Sequence, residues 1–128
     1  MKMMKMNLVV LALLGLTLQA CSMFTASHGP EAATYSQGTL HATYNDTLFR
    51  TYEASRKALQ DMGMTVTNAQ KTPNEGQITA VMKNGTNVQL ALSAEKPDLT
   101  GVDIRVGQYG LEPTSRDISK KIESGLKG

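Results

Sequence analysis

Residues 86–94, TNVQLALSA, decide the fold class. Val88, Leu90 and Leu92 fall on one side of an extended chain, and Asn87, Gln89 and Ser93 fall on the other. A strand with one apolar and one polar face belongs in an antiparallel sheet that is covered on one side only. Upstream, Asn84-Gly85 is a hairpin dipeptide whose residues tolerate positive φ, and residues 77–82 put Ile78, Ala80 and Met82 on one side. Before that, the turn TPNEG at residues 72–76 follows a stretch at residues 64–71 that alternates Met64 and Val66 with Thr65 and Thr67. Downstream of Lys96-Pro97-Asp98, residues 101–106 alternate Val102, Ile104 and Val106 with Asp103 and Arg105. A first strand is predicted at residues 39–44, TLHATY.

Two helices flank these strands. Leu48, Tyr52, Ser55, Leu59 and Met62 recur at spacings of three and four, with Asn45 as N-cap, Asp46 in the first turn and Gly63 as a left-handed C-cap. The second helix begins at Pro113 or Thr114, with Asp117 three positions after Thr114. Ile118, Ile122 and Leu126 line its buried side, and Lys120, Lys121 and Lys127 lie toward its C-terminal end. The order β-α-β-β-β-β-α predicts an α+β two-layer sandwich: a mostly antiparallel four- to five-stranded sheet with two helices on one face.

The N-terminal segment has a different character. Lys2 and Lys5 precede residues 7–18, NLVVLALLGLTL, an uncharged run well short of the roughly 20 residues needed to span a bilayer. Leu18-Gln19-Ala20-Cys21 closes it and resembles a lipobox, in which a large apolar residue and a small one lead to the cysteine that becomes the lipidated N-terminus. Residues 1–20 therefore read as a cleaved lipoprotein signal peptide. Cys21 reads as the site of N-acylation and S-diacylglycerol attachment, residues 21–37 as a flexible tether, and residues 38–128 as the folded domain. With two or three acyl chains at about 0.8 kcal/mol per buried methylene, such an anchor is effectively permanent. Cys21 is also the chain's single cysteine, so no internal disulfide can form, and lipidation removes a lone thiol. Ser22 stands where Asp would retain a lipoprotein in the inner membrane. The expected address is thus the bacterial outer membrane, facing the periplasm, with the inner membrane or the cell surface as the alternative.

Lys2 and Lys5 belong to the leader, so of 13 Lys and Arg residues the remaining 11 balance 11 acidic ones. A mature chain without net charge or a basic stripe does not point to nucleic acid. Met1, Met3, Met4 and Met6 also belong to the leader, which leaves too few methionines for a Met-rich binding surface. His28 lies in the tether, and His41 has no second ligand at metal-binding spacing, so no metal or other cofactor is expected. Tyr35, Tyr44, Tyr52 and Tyr109 read as partial core. Neither a Ser-His-Asp nor a Cys-His constellation can be assembled, and the domain is expected not to be an enzyme.

Residues 52–63 (YEASRKALQDMG) and 102–122 (VDIRVGQYGLEPTSRDISKKI) together resemble a family of small bacterial lipoproteins of unknown function. In that family an Ile-Arg-Val-Gly strand end is followed by a glycine and then by a serine that opens the C-terminal helix. The matching positions are Ile104, Arg105, Val106, Gly107, Gly110 and Ser115; many relatives carry an acidic residue after the second glycine, where this chain has Leu111. The resemblance implies no activity or ligand.

The loop of residues 107–115 admits two readings. As a strand-to-helix junction it could cradle an anion on backbone N–H groups, with Arg105 or Arg116 adding charge. In the plainer reading the glycines allow a tight connection, Ser115 or Thr114 caps the helix, and Arg105 points out of the sheet toward a partner such as Asp103. Candidate contacts for a ligand or partner are Arg105, Gly107, Tyr109, Gly110, Ser115 and Arg116. The expectation is a membrane-tethered, non-catalytic accessory module that binds another envelope protein or polymer through the polar sheet face or this loop. A small ligand- or anion-binding protein or enzyme using the loop is the alternative.

Overall fold

The computed structural model describes residues 32–127. The expected signal peptide, Cys21 and residues 22–31 of the tether lie outside the described residues. Strands β1 (Ala32–Ser36) and β2 (Thr39–Tyr44) come first, followed by helix α1 (Leu48–Asp61). Strands β3 (Thr65–Lys71), β4 (Glu75–Val81), β5 (Asn87–Lys96) and β6 (Leu99–Val106) then lead to helix α2 (Glu112–Lys127). All neighbouring strands are antiparallel, in the order β1-β2-β6-β5-β4-β3. The fold is the α+β sandwich expected, with six strands where four to five were read.

The additional strand, β1, occupies Ala32–Ser36 within the stretch read as tether. Its sequence AATYS announces it only weakly, with Ala33 and Tyr35 as the two core-facing positions, opposite Ala42 and Leu40. What commits it to the sheet is the two-residue turn Gln37-Gly38, in which both residues have positive φ, 51° and 84°. That backbone shape matches the twist of a tight hairpin and pairs Ser36 with Thr39.

The centre of the core is a ladder of four side chains in register. Ile78 faces Leu90, Leu90 faces Ile104, Ile104 faces Leu40, and none is exposed to solvent. Ala80, Val88 and Val106 form a parallel row on one side, and Ala42, Val102 and Leu92 form another on the opposite side. Both helices lie on this face. Helix α1 buries Leu48, Thr51, Tyr52, Ser55, Ala58 and Leu59, and α2 buries Ser115, Ile118, Ser119 and Ile122. The buried hydroxyls are satisfied within their own helices: Thr51 Oγ1 donates to the Thr47 carbonyl (2.8 Å) and Ser55 Oγ to the Thr51 carbonyl (2.7 Å). Tyr44 crosses from sheet to helix and donates its buried hydroxyl to the Ser119 carbonyl at 3.0 Å, and burial pushes the phenol well above the ordinary tyrosine range.

The helix termini show one agreement and two shifts. Gly63, at φ +85°, ends α1 as expected, and the Met64 N–H reaches back to the Leu59 carbonyl in a Schellman-type closure. The N-cap of α1 is Thr47 rather than Asn45: β2 runs through Tyr44, Asn45 and Asp46 form the turn, and Thr47 Oγ1 accepts from the Arg50 N–H at 3.2 Å. Helix α2 starts at Glu112, one residue before Pro113. No helix among the described residues is long and apolar enough to cross a membrane.

Candidate functional site

The two ends of the sheet can be told apart by what the chain does there. At one end lie Ala32, the Lys71-to-Glu75 connection, Lys96-Pro97-Asp98 and the start of α1. At the other lie the Gln37-Gly38 turn, the Met82-to-Thr86 loop and the exit of β6 toward α2. The candidate loop belongs to the second end, farthest from Ala32.

Residue Arg105 organises that end. On β6 it stands opposite Thr39 across the β2 ladder, which follows from the pairing of Leu40 with Ile104. Its Nη1 donates to the Gln37 carbonyl (3.0 Å) and to Thr39 Oγ1 (3.3 Å), and its Nη2 donates to the Gln108 carbonyl (2.6 Å). One planar guanidinium thus ties the β1–β2 turn to the loop after β6, which a single ammonium could not span with the same geometry. The expected pairing of Arg105 toward Asp103 does not form. Asp103 faces His41 on β2 and accepts its Nδ1 at 2.7 Å, both side chains being about half exposed.

Backbone contact reinforces the side-chain bridge. Gly110, at φ +85°, lies directly against the backbone of Gly38, so a Cβ there would collide with the Gly38 carbonyl oxygen and Cα and come within 2.7 Å of the Tyr35 hydroxyl. A Cβ on Gly38 would meet Arg105 Nη1 at 2.7 Å and the Tyr109 carbonyl at 2.9 Å. Only glycine supplies both the positive φ and the close approach. The Gly107 N–H, in turn, donates to the Asn87 carbonyl at 2.7 Å and holds the start of the loop to β5.

The candidate contacts separate into two groups. Arg105, Gly107 and Gly110 build the clamp, which presents Tyr109 at 84% exposure and Leu111 at 47%. Tyr109 is therefore surface, not partial core; Tyr44 and Tyr52 are buried, and Tyr35 packs at the core margin. Ser115 and Arg116 do not join the clamp. Ser115 is fully buried and donates its hydroxyl to the Leu111 carbonyl at 2.9 Å, one turn into the helix, so it is not an N-cap. Arg116 is held by Glu112 one turn earlier, at 2.9 Å. The loop glycines and Ser115 thus have structural work that accounts for their spacing. Sequence reasoning missed Gln37 and Gly38 as a turn, because the boundary between tether and domain falls between them.

The face of the sheet opposite the helices is polar. One row across all six strands reads Thr34, His41, Asp103, Ala91, Gln77 and Gln70. Around Ala91 it sinks into a shallow trough of about 370 Å³, with Gln70, Gln77, Ser93 and Asp103 in its walls. Among the described residues no group of three or more His, Cys, Asp or Glu side chains is arranged to hold a metal ion.

Comparison with curated proteins gives no match. A family model described as a protein of unknown function, DUF3568, matches residues 4–125, nearly the whole chain. The chain belongs to this DUF3568 family.

Proposed function

We propose that this chain is a lipoprotein of the bacterial outer membrane, anchored through acyl groups on Cys21, and that its domain is a non-catalytic module that docks another envelope protein on Tyr109 and Leu111. The anchor reading rests on the lipobox-like Leu18-Gln19-Ala20-Cys21 after an uncharged run too short to span a bilayer. The docking reading is carried by one observation: an aromatic and an aliphatic side chain, two positions apart in the chain, are exposed on a loop whose backbone is tied to the β1–β2 turn by Arg105 and by the contact between Gly38 and Gly110. Holding the loop backbone in place before binding lowers the entropic cost of association, and tyrosine is a frequent anchor in protein interfaces.

Metabolic labelling with radioactive palmitate tests the anchor, and Cys21→Ser should abolish it. For the docking surface, a photo-crosslinking amino acid is placed at Tyr109 or, on the open sheet face, at Gln89. A discrete adduct in living cells is expected from position 109, and Arg105→Ala should weaken it. Adducts from position 89 with none from 109 would move the docking surface to the sheet and overturn this reading.

A further inference from the structure

Phe49 is the one large apolar side chain exposed at the Ala32 end of the sheet among the described residues, at 59% exposure. It stands on the first turn of α1, beside a shallow cleft of about 460 Å³ that also takes in Pro73, Ala94, Lys96 and Pro97. Lys71 holds its ammonium 5.6 Å from the centroid of the Phe49 ring. Exposed prolines at 73 and 97 extend the apolar surface, and Lys71 and Lys96 flank it. The nearby charges of opposite sign are Glu95, which lines the same cleft, Glu75 at the start of β4, Asp98 in the β5–β6 turn, and Asp46, which is engaged by Arg50 at 3.2 Å and by the Thr47 N–H at 2.8 Å.

The chain joins the domain at this same end. Ala32 pairs with Thr43, Thr43 with Gly101, Gly101 with Ser93 and Ser93 with Glu75, one row in from the Tyr44–Thr100–Ala94 row that borders the Phe49 end. Ten residues, 22–31, separate Cys21 from Ala32. Their contour is at most about 35 Å, close to the length of β5 itself. From these positions we infer that the Phe49 end of the domain rests on the phospholipid leaflet that holds the Cys21 acyl chains. This rests on the anchor reading above. The Phe49 ring enters the boundary between headgroups and acyl chains, and Lys71 and Lys96 meet lipid phosphates while their methylene stems lie along the apolar patch. With Glu75, Glu95 and Asp98 beside Lys71 and Lys96, these charges give no net attraction to anionic lipid, so the short tether supplies the local concentration and the aromatic ring supplies the contact.

The experiment uses the mature lipidated protein in vesicles of phosphatidylethanolamine with a minority of phosphatidylglycerol. Lipidation blocks the Cys21 sulfur, so a cysteine introduced at one exposed turn residue is the unique thiol for an environment-sensitive fluorophore. Pro97→Cys reports the Phe49 end and Lys83→Cys the opposite end. Doxyl-labelled lipid in the bilayer should quench the label at 97 at least about twofold more than the label at 83, and adding Phe49→Ser should shrink that difference. Equal quenching at both ends, or stronger quenching at 83, in protein that carries palmitate overturns this inference alone. Protein without palmitate at Cys21 overturns the anchor reading and this inference with it.

Discussion

The two ends of the sheet both expose apolar side chains, but they hold them by different means. At the Ala32 end, Phe49 stands on a helix whose position is fixed by Leu48, Tyr52 and Leu59 in the core. At the far end, Tyr109 and Leu111 stand on irregular backbone that owes its shape to Arg105 and to the contact between Gly38 and Gly110. Presentation at the first end is a by-product of folding, whereas at the second it hangs on a few local interactions. The far end should therefore be separable from the fold by single substitutions, and the Phe49 end should not.

The largest effect is expected where the two ends share a support. Ile104 sits in the four-residue ladder with Leu40, Leu90 and Ile78, so Ile104→Ala should cost about 2–5 kcal/mol and loosen both ends together. Urea unfolding should show a lower midpoint with an unchanged slope. Gly110→Ala comes next, at about 2–4 kcal/mol, because it combines an unfavourable positive φ with overlap against the Gly38 backbone. Amide exchange should rise in residues 37–39 and 107–111 while α1 keeps its protection. Equal loosening of α1 would erase the difference between the ends.

How much of this was legible in the sequence depends on the range of the interaction. Val88, Leu90 and Leu92 declared their face by alternation, and all three are buried as read. The buried face of α1 and its Gly63 cap were equally local signals. Strand β1 was hard to see because AATYS offers only Ala33 and Tyr35 as a core-facing pair, and the Gln37-Gly38 turn that pairs it with β2 falls on the boundary read between tether and domain. The target of Arg105 was hidden for a related reason. Periodicity put it on the polar face, but only the adjacency of β2 and β6 decides that its reach ends at Gln37 instead of Asp103. Ser115 reads in the sequence as a helix cap or a ligand contact; it is a buried donor to the Leu111 carbonyl on the side of α2 that Ile118 and Ile122 mark, because the helix begins at Glu112 and places Ser115 one turn inside it.

Smaller substitutions test the difference more finely. Arg105→Ala removes three donor contacts at a partly exposed site and should cost about 1–2 kcal/mol, with exchange increasing at the β1–β2 turn and the loop together. Arg105→Lys should recover only part, since one ammonium cannot bridge both segments as the guanidinium does.

The smallest expected changes in stability are at the exposed tips themselves. Phe49→Ser and Tyr109→Ser each remove a side chain that is mostly in water already, so thermal unfolding should shift by less than about 0.5 kcal/mol for either. That near-neutrality is the informative result. If both variants fold like the parent yet Tyr109→Ser loses the cellular adduct from a photo-crosslinker moved to Leu111, the tyrosine is retained for contact and not for folding. A loss of about 2 kcal/mol at Phe49 would instead mean that the ring and Lys71 brace the start of α1. Exposure at that end would then be part of the scaffold, and the two ends would differ in kind, one structural and one for docking.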